Sequence, residues 1–166
     1  MIRECGIQDT EAMFRVINEA AKAYQNAIPA DRYNEPYMSM QDLRSEMKEM
    51  TFLGCEEAGK LLGVAGYQQV KDTTLVRHVY VLPERQRRGI GTQLLNRIMQ
   101  VAETRQILVG TWQAASWAIT FYQKHGFKLR PDKDKLLTRY WKIPERQIEL
   151  SVVLSNESTR FPIPST

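Results

Sequence analysis

The sequence predicts an α/β fold in which short strands alternate with amphipathic helices. The pattern is clearest at 74–103, where a β-branched and aromatic run is followed by a glycine-containing loop and then by apolar residues at helical spacing. Apolar runs of strand length also occur at 60–69 and 107–112. The chain has 166 residues, which is enough for one domain with a substantial core. We predict a single domain over residues 1–154 and a flexible tail over residues 155–166.

Before the central strand, capping residues and turn residues define the elements. Asp9 or Thr10 is expected to cap the first helix and Ser39 the second, because short polar side chains accept hydrogen bonds from the free N–H groups of a first turn. The segment 57–59, Glu-Ala-Gly, is typical of the turn of a β-hairpin. The predicted elements are an edge strand at 1–4, helices at 9–26 and 39–50, and hairpin strands at 51–56 and 60–69.

After the central helix, apolar runs and helix-ending residues define the elements. The run 107–112 is apolar enough for a strand that is buried on both faces. Gly126 is the predicted cap of a helix at 116–124, and Pro144 ends an additional helix at 131–143. The remaining predicted elements are strands at 127–130 and 147–154. The additional helix could cover a binding cleft, contact a partner or close the core.

Composition narrows the class of protein. The shares of hydrophobic residues, 43%, and charged residues, 25%, are ordinary for a globular protein, and neither a signal peptide nor an apolar run of membrane-spanning length is present. Cys5 and Cys55 form neither a disulfide framework nor a metal-binding pair. The net charge of +4 favours anionic ligands but is too small to indicate nucleic acid. We therefore expect a cytoplasmic protein with no metal, no membrane partner and no nucleic-acid partner.

The loop between the central strand and its helix has the properties of an anion-binding site. Gly89 and Gly91 leave the backbone open, three arginines add positive charge, and the following helix directs its free N–H groups toward the loop. A phosphate or pyrophosphate suits such a site best. The Walker loop does not fit because no Lys follows Gly91, and a dinucleotide fingerprint does not fit because Leu94 stands in place of its third glycine.

Two segments of the chain carry a family resemblance. The loop 86–91, Gln-Arg-Arg-Gly-Ile-Gly, resembles the Gln/Arg-x-x-Gly-x-Gly/Ala signature of the GNAT acetyltransferase superfamily. The segment 117–127 resembles the superfamily's other signature, Ala-x-x-Phe-Tyr-x-Lys-x-Gly-Phe, and together the two cover roughly residues 50 to 130. The resemblance implies a mixed, mostly antiparallel central sheet with a parallel pair of strands in the middle and helices around it. The extra helix before the last strand is a departure from the shortest form of this fold.

The resemblance also implies a reaction. It implies an acetyl-CoA-dependent N-acetyltransferase, in which the primary amine of a small molecule or peptide attacks directly within a ternary complex. The backbone of Val79 and Val81 would pair with the pantetheine chain, and Tyr122 matches the tyrosine that many members place beside the sulfur as general acid. The other cosubstrate-binding residues implied are Gln86, Arg87, Arg88, Gly89, Ile90, Gly91, Thr92 and Ser116. A homodimer is left open.

The general base is the weakest part of the match. Many members carry a carboxylate near the start of the central strand, where this chain has Leu75. An imidazole side chain titrates in the useful range, so His78 is the first candidate for the base. In a regular strand the His78 side chain would lie on the face opposite the side chains of Val79 and Val81. A bulge in the strand would change this. Glu56, Glu57 and a water chain are the alternatives.

Two further positions carry implied roles. Many members have a cofactor-contacting asparagine where this chain has Ala115, so Ser116 is the expected substitute. Tyr33 and Tyr37 are predicted to contact the acceptor, because the corresponding loop forms one wall of the acceptor pocket; otherwise they fix the loop to the core.

Two other functions remain open at this stage. One is an acyl-CoA-binding sensor without catalysis, which the departures at Leu75 and Ala115 would allow. The other is a basic nucleic-acid-associated module, which would use the loop arginines together with Arg97 but would need further basic and aromatic residues on the same face.

Overall fold

The fold is described from a computed structural model, which describes residues 1–161. The strands are β1 (Ile2–Glu4), β2 (Thr51–Glu57), β3 (Lys60–Val70), β4 (Thr73–Val81), β5 (Gln106–Trp112), β6 (Lys128–Leu129) and β7 (Ser151–Glu157). The α-helices are α1 (Thr10–Ala21), α2 (Met40–Glu49), α3 (Ile90–Val101), α4 (Ser116–Lys124), α5 (Lys133–Tyr140) and α6 (Glu145–Glu149). None of the helices in this part of the chain has the length and apolar character needed to cross a bilayer.

The strands form one mostly antiparallel sheet. The described strands lie in the order β1-β2-β3-β4-β5-β7-β6. Antiparallel pairing joins β1 to β2, β2 to β3, β5 to β7 and β6 to β7. The predicted α/β fold with a mostly antiparallel sheet is therefore confirmed. The order places β4 beside β5, as predicted for the central pair, while the parallel direction of that pair stays a prediction.

The chain divides into two compact units. The first contains Met1–Gln68 and Val76–Ile98, and the second contains Gln69–Leu75 and the chain from Met99 onward. The single domain predicted over residues 1–154 stays a prediction.

In the first unit, the β2–β3 hairpin supports the start of α3. Its turn residues Ala58 and Gly59 both have positive φ values, 52° and 76°, which two-residue hairpin turns require. Gly63 on β3 allows close packing of α3, because a Cβ there would lie 2.8 Å from Ile90 Cγ2 and 3.3 Å from Leu94 Cδ1. The first turn of α3 is thus fixed against the sheet.

The N-terminal elements follow the predicted order with one difference. The hydroxyl of Ser39 caps α2 as predicted, accepting a hydrogen bond from the Asp42 N–H at 3.0 Å. Helix α1 ends earlier than predicted, at Ala21, and continues as a 3₁₀ turn. Asp9 is the N-cap residue of α1, but its carboxylate is bound by Arg3 at 2.8 Å and not by the first turn of the helix.

In the second unit, α5 closes the core. Its apolar face packs with strand residues in one cluster, made of Leu75, Leu108, Leu136, Leu137, Tyr140 and Val153. The Tyr140 hydroxyl also donates a hydrogen bond to Asp72 Oδ1 at 2.8 Å. Of the three roles considered for the additional helix, the contacts support the core role.

The last strand is displaced from its predicted position, and this correction also affects the tail. Residues 145–149 form α6, and the strand β7 runs from Ser151 to Glu157 and not over 147–154. The Pro144 carbonyl accepts hydrogen bonds from the N–H groups of Gln147 and Ile148, so a helical turn starts here. The alternation at 147–150 rested on two apolar residues, which did not distinguish a strand from one turn of helix.

The segment after β7 is bound to the C-terminal end of α3. Ser158 is 1% exposed, and its hydroxyl donates to the Met99 carbonyl at 2.8 Å. The Thr159 hydroxyl donates to the same carbonyl at 3.1 Å. Because the last carbonyls of a helix lack intrahelical partners, these hydroxyls cap α3. The prediction of a loose tail from residue 155 is therefore wrong for residues 155–159, while residues 162–166 lie outside the described part of the chain.

Candidate active site

The loop before α3 combines an open backbone with positive charge. Gly89 has a φ of 78°, and apart from Gly89 and its two chain neighbours no described residue has an atom within 4 Å of the position that a Cβ would occupy. Arg87 has a left-handed backbone as well, with a φ of 67°. The side chains of Gln86, Arg87 and Arg88 are exposed, and α3 begins directly after the loop, at Ile90. Free N–H groups at a helix start, a bare backbone and arginines are what a pyrophosphate needs, so the residues present fit this group.

Strand β4 is distorted where His78 lies. His78 has a φ of 57°, in the left-handed region that strands do not use. Neighbouring strand residues normally point to opposite faces, yet Arg77 and His78 both reach the carboxylate of Glu46, at 3.4 Å and 2.7 Å. Regular alternation therefore does not hold at His78, and it no longer argues against His78 as the base.

The His78 ring is held tightly. Its Nε2 lies 2.7 Å from Glu46 Oε2, and its side chain is 13% exposed. The ring stacks near Phe52, with the centroids 6.2 Å apart, and near Tyr80, with the centroids 6.3 Å apart. The imidazole is thus placed by one carboxylate and two aromatic rings.

Glu46 is ionised in this arrangement. Burial by itself would raise the pKa of its carboxyl group. The hydrogen bond and charge of His78, together with the charge of Arg77, outweigh burial and hold the pKa of Glu46 below its usual range. Helix α2 therefore presents a carboxylate to β4.

The predicted acceptor-binding tyrosines connect to the same place. The rings of Tyr33 and Tyr37 lie 6.3 Å apart, and Tyr37 and Tyr80 are also 6.3 Å apart. Tyr24 approaches Tyr80 edge-on at 5.9 Å. Tyr33 and Tyr37 are half-buried. A series of ring contacts therefore connects the loop between α1 and α2 to Tyr80, whose ring stacks near His78.

Within the second unit, Tyr122 is buried near the C-terminal end of α4. It is 7% exposed, and its ring contacts Phe127 with a centroid distance of 5.6 Å. Gly126 has the left-handed φ of a helix cap, 87°, and His125 Nδ1 lies 2.8 Å from the Phe121 carbonyl at the end of α4. Ser116 is exposed at the first turn of α4. The packing role of this segment is therefore established, whereas the chemical role of Tyr122 stays a prediction.

The alternative bases are poorly suited. Glu56 is bound by Arg3 at 3.0 Å, and this hydrogen bond lowers the pKa of the Glu56 carboxyl group. Glu57 is exposed at the hairpin turn. Within residues 1–161, no group of three or more His, Cys, Asp or Glu side chains could hold a metal ion.

Glu46 is the residue that sequence reasoning missed. The buried face of α2 is marked by Leu43, and Glu46 lies three residues after it. Residues at this spacing share a helix face, so Glu46 stands at the edge of the apolar stripe. A carboxylate in such a position was the available signal, although its partner His78 could not be read from spacing.

Comparison with known proteins defines the class. The sequence family described as an acetyltransferase (GNAT) domain matches residues 48–129. The chain is 24% identical over 139 residues to the L-methionine sulfoximine/L-methionine sulfone acetyltransferase of Pseudomonas paraeruginosa. The matched region covers 77% of this chain and 80% of that relative. The protein is an acetyltransferase.

Solved structures of N-acetyltransferases share this fold. The PaiA N-acetyltransferase of Thermoplasma acidophilum, in complex with coenzyme A, has a TM-score of 0.71 at 22% identity and covers 95% of this chain and 98% of its own. The ribosomal-protein-S18-alanine N-acetyltransferase of Escherichia coli has a TM-score of 0.70 at 17% identity, with 95% and 93% covered. The matching family model is that of the GNAT superfamily, which the two signatures indicated, and the fold agrees with it.

Proposed function

We propose that the protein is an acetyl-CoA-dependent N-acetyltransferase whose acceptor is the primary amine of a small molecule or peptide. The amine attacks directly within a ternary complex. The observation that carries the proposal is the open, arginine-flanked backbone at Gly89 in front of α3. The relatives support it, since they include an acetyltransferase of small amino acid derivatives and one that acts on a ribosomal protein.

The cosubstrate would be held by backbone more than by side chains. The N–H groups of 86–92 and the arginines of the loop would bind the pyrophosphate, and the backbone of Val79 and Val81 would pair with the pantetheine chain. Ser116, at the start of α4, would add a hydroxyl and a free N–H group. Bound acetyl-CoA would supply a thioester carbonyl that an amine can attack.

The remaining chemistry concerns two protons. A C–N bond forms to the acetyl carbon while the C–S bond breaks, so the amine loses a proton and the sulfur gains one. An alkyl ammonium has a pKa of about 10.4 and needs a base at neutral pH. In our proposal His78 is that base and Tyr122 is the acid that protonates the departing sulfur. Tyr33 and Tyr37 contact the acceptor.

Substitution of Gly89 by aspartate tests the cosubstrate site. We expect Gly89→Asp to raise the dissociation constant of CoA at least tenfold, about 1.4 kcal/mol, because it places a carboxylate against the phosphates. Isothermal titration measures this directly. Gly59→Asp is the matched control, since Gly59 also has a positive φ and nothing within 4 Å of a Cβ. Equal CoA affinity in both folded variants would contradict the proposed site.

A panel of amines tests the reaction. We expect release of free thiol from acetyl-CoA that depends on the added amine and matches the acetylated product one to one. The panel contains L-methionine sulfoximine, L-methionine sulfone, a polyamine and a peptide that begins with alanine. Binding of CoA with no amine-dependent thiol release would instead favour the acyl-CoA sensor. Binding of nucleic acid without binding of CoA would favour the basic module.

A further inference from the structure

A pair of buried polar atoms lies between α2 and β4. Glu46 Oε2 and His78 Nε2 are 2.7 Å apart, and among the described residues neither atom makes a hydrogen bond of regular geometry. Such atoms are costly to bury unless each satisfies the other. The contact joins residues that are far apart in sequence and fixes one edge of the imidazole.

The surroundings of His78 contain few charges. From its own strand, Arg77 reaches the other oxygen of Glu46 at 3.4 Å. From β2 the neighbour is the apolar ring of Phe52, and further along β4 it is the ring of Tyr80. Glu46 is thus the carboxylate that faces the ring, and Arg77 partly balances its charge.

The contact decides which ring nitrogen carries the proton. An ionised carboxylate only accepts hydrogen bonds, so the neutral imidazole must present Nε2–H to Glu46. The other nitrogen, Nδ1, then carries the lone pair. A base needs its lone pair directed at the proton it takes, and a fixed tautomer supplies that without reorganisation.

We propose that Glu46 is a positioning residue, which holds His78 in the Nε2–H tautomer and leaves Nδ1 to accept the proton of the acceptor amine. This rests on the proposed role of His78 as the base. Nδ1 takes a proton from the acceptor ammonium, and the nitrogen lone pair that this frees then forms the C–N bond. Glu46 keeps its carboxylate throughout and stabilises the imidazolium that results.

The tautomer can be measured without any activity. The chain contains two histidines, which keeps the ¹⁵N spectrum of the imidazole nitrogens simple. At a pH where both rings are neutral, we expect His78 to carry its proton on Nε2 and His125 to carry it on Nδ1, because Nδ1 of His125 lies 2.8 Å from a carbonyl oxygen. A His78 ring with its proton on Nδ1 would overturn the proposal.

Substitution of Glu46 adds a kinetic readout. In Glu46→Gln, the acid limb of the pH profile of kcat/KM is expected to move about one pH unit lower, because the imidazolium loses its carboxylate partner. The plateau of kcat should fall about tenfold, since an amide can donate as well as accept and no longer fixes one tautomer. Glu49→Gln, at an exposed position of the same helix, should match the parent.

The outcomes distinguish the positioning role of Glu46 from the role of His78 as the base, on which it rests. An acid limb that stays in place in folded Glu46→Gln, while His78→Asn is inactive, overturns the role of Glu46 and leaves His78 as the base. Parent-like turnover by His78→Asn overturns both roles. If Glu46→Gln does not fold, the tautomer measured in the parent protein still decides the question.

Discussion

Replacement of Tyr122 by phenylalanine is expected to lower kcat by about 10²-fold, the lower range for loss of a general acid. The ring and its contact with Phe127 remain, so stability should change by no more than about 1.5 kcal/mol, the usual worth of one hydrogen bond. The affinity for CoA should be unaltered. Steady-state thiol release, thermal unfolding and calorimetry check the three expectations. The rate loss should shrink at low pH, where solvent protonates the sulfur more readily.

Tyr140→Phe is the matched control for this experiment. Tyr140 is about as buried as Tyr122, but it lies in the core cluster of α5. The substitution removes its hydrogen bond to Asp72. It should lose some stability and keep its turnover. Parent-like turnover by Tyr122→Phe would make that tyrosine structural, and loss of CoA binding would make its hydroxyl a binding group.

Replacement of His78 by asparagine is expected to lower kcat/KM at neutral pH by 10²-fold or more, on the order expected for loss of a general base. Asparagine is chosen because it tolerates the left-handed backbone that His78 adopts, with a φ of 57°. The loss should shrink as the pH rises toward about 10.4, because the amine then deprotonates in solution. A pH profile of kcat/KM provides the measurement.

His125→Asn serves as the control for this variant. His125 bonds the end of α4 through the Phe121 carbonyl, so its loss should affect stability and leave turnover of the folded protein intact. If His78→Asn kept the parent's pH profile, the base would lie elsewhere, and a water chain would be the next hypothesis.

The sequence predicted the parts of the fold that local chemistry determines. Ser39 caps α2 and Gly126 ends α4 because a side-chain hydroxyl and a left-handed glycine act within a few residues of themselves. The loop at Gly89 was predictable for the same reason. The superfamily followed from two such local signatures in the right order.

What the sequence did not predict depends on contacts between distant segments. The turn at Gln147 and Ile148 is helical because Ile148 packs on the α5 cluster, which the local alternation did not reveal. The pairing of Glu46 with His78 required both the packing of α2 and a distortion of β4. The distortion at His78 carries no proline or glycine signal, so regular alternation was the natural expectation.

The capping of α3 by Ser158 and Thr159 also affects local unfolding at the C-terminal end of this helix. The last carbonyls of the helix and the hydroxyls of this segment satisfy each other, and the Ser158 N–H is bonded to the Arg105 carbonyl. Fraying of the helix end would leave the buried Ser158 without its acceptor, and release of the segment would leave the carbonyls bare. The two regions therefore form one cooperative unit of local unfolding, and protection against amide exchange is set jointly by residues nearly sixty positions apart along the chain.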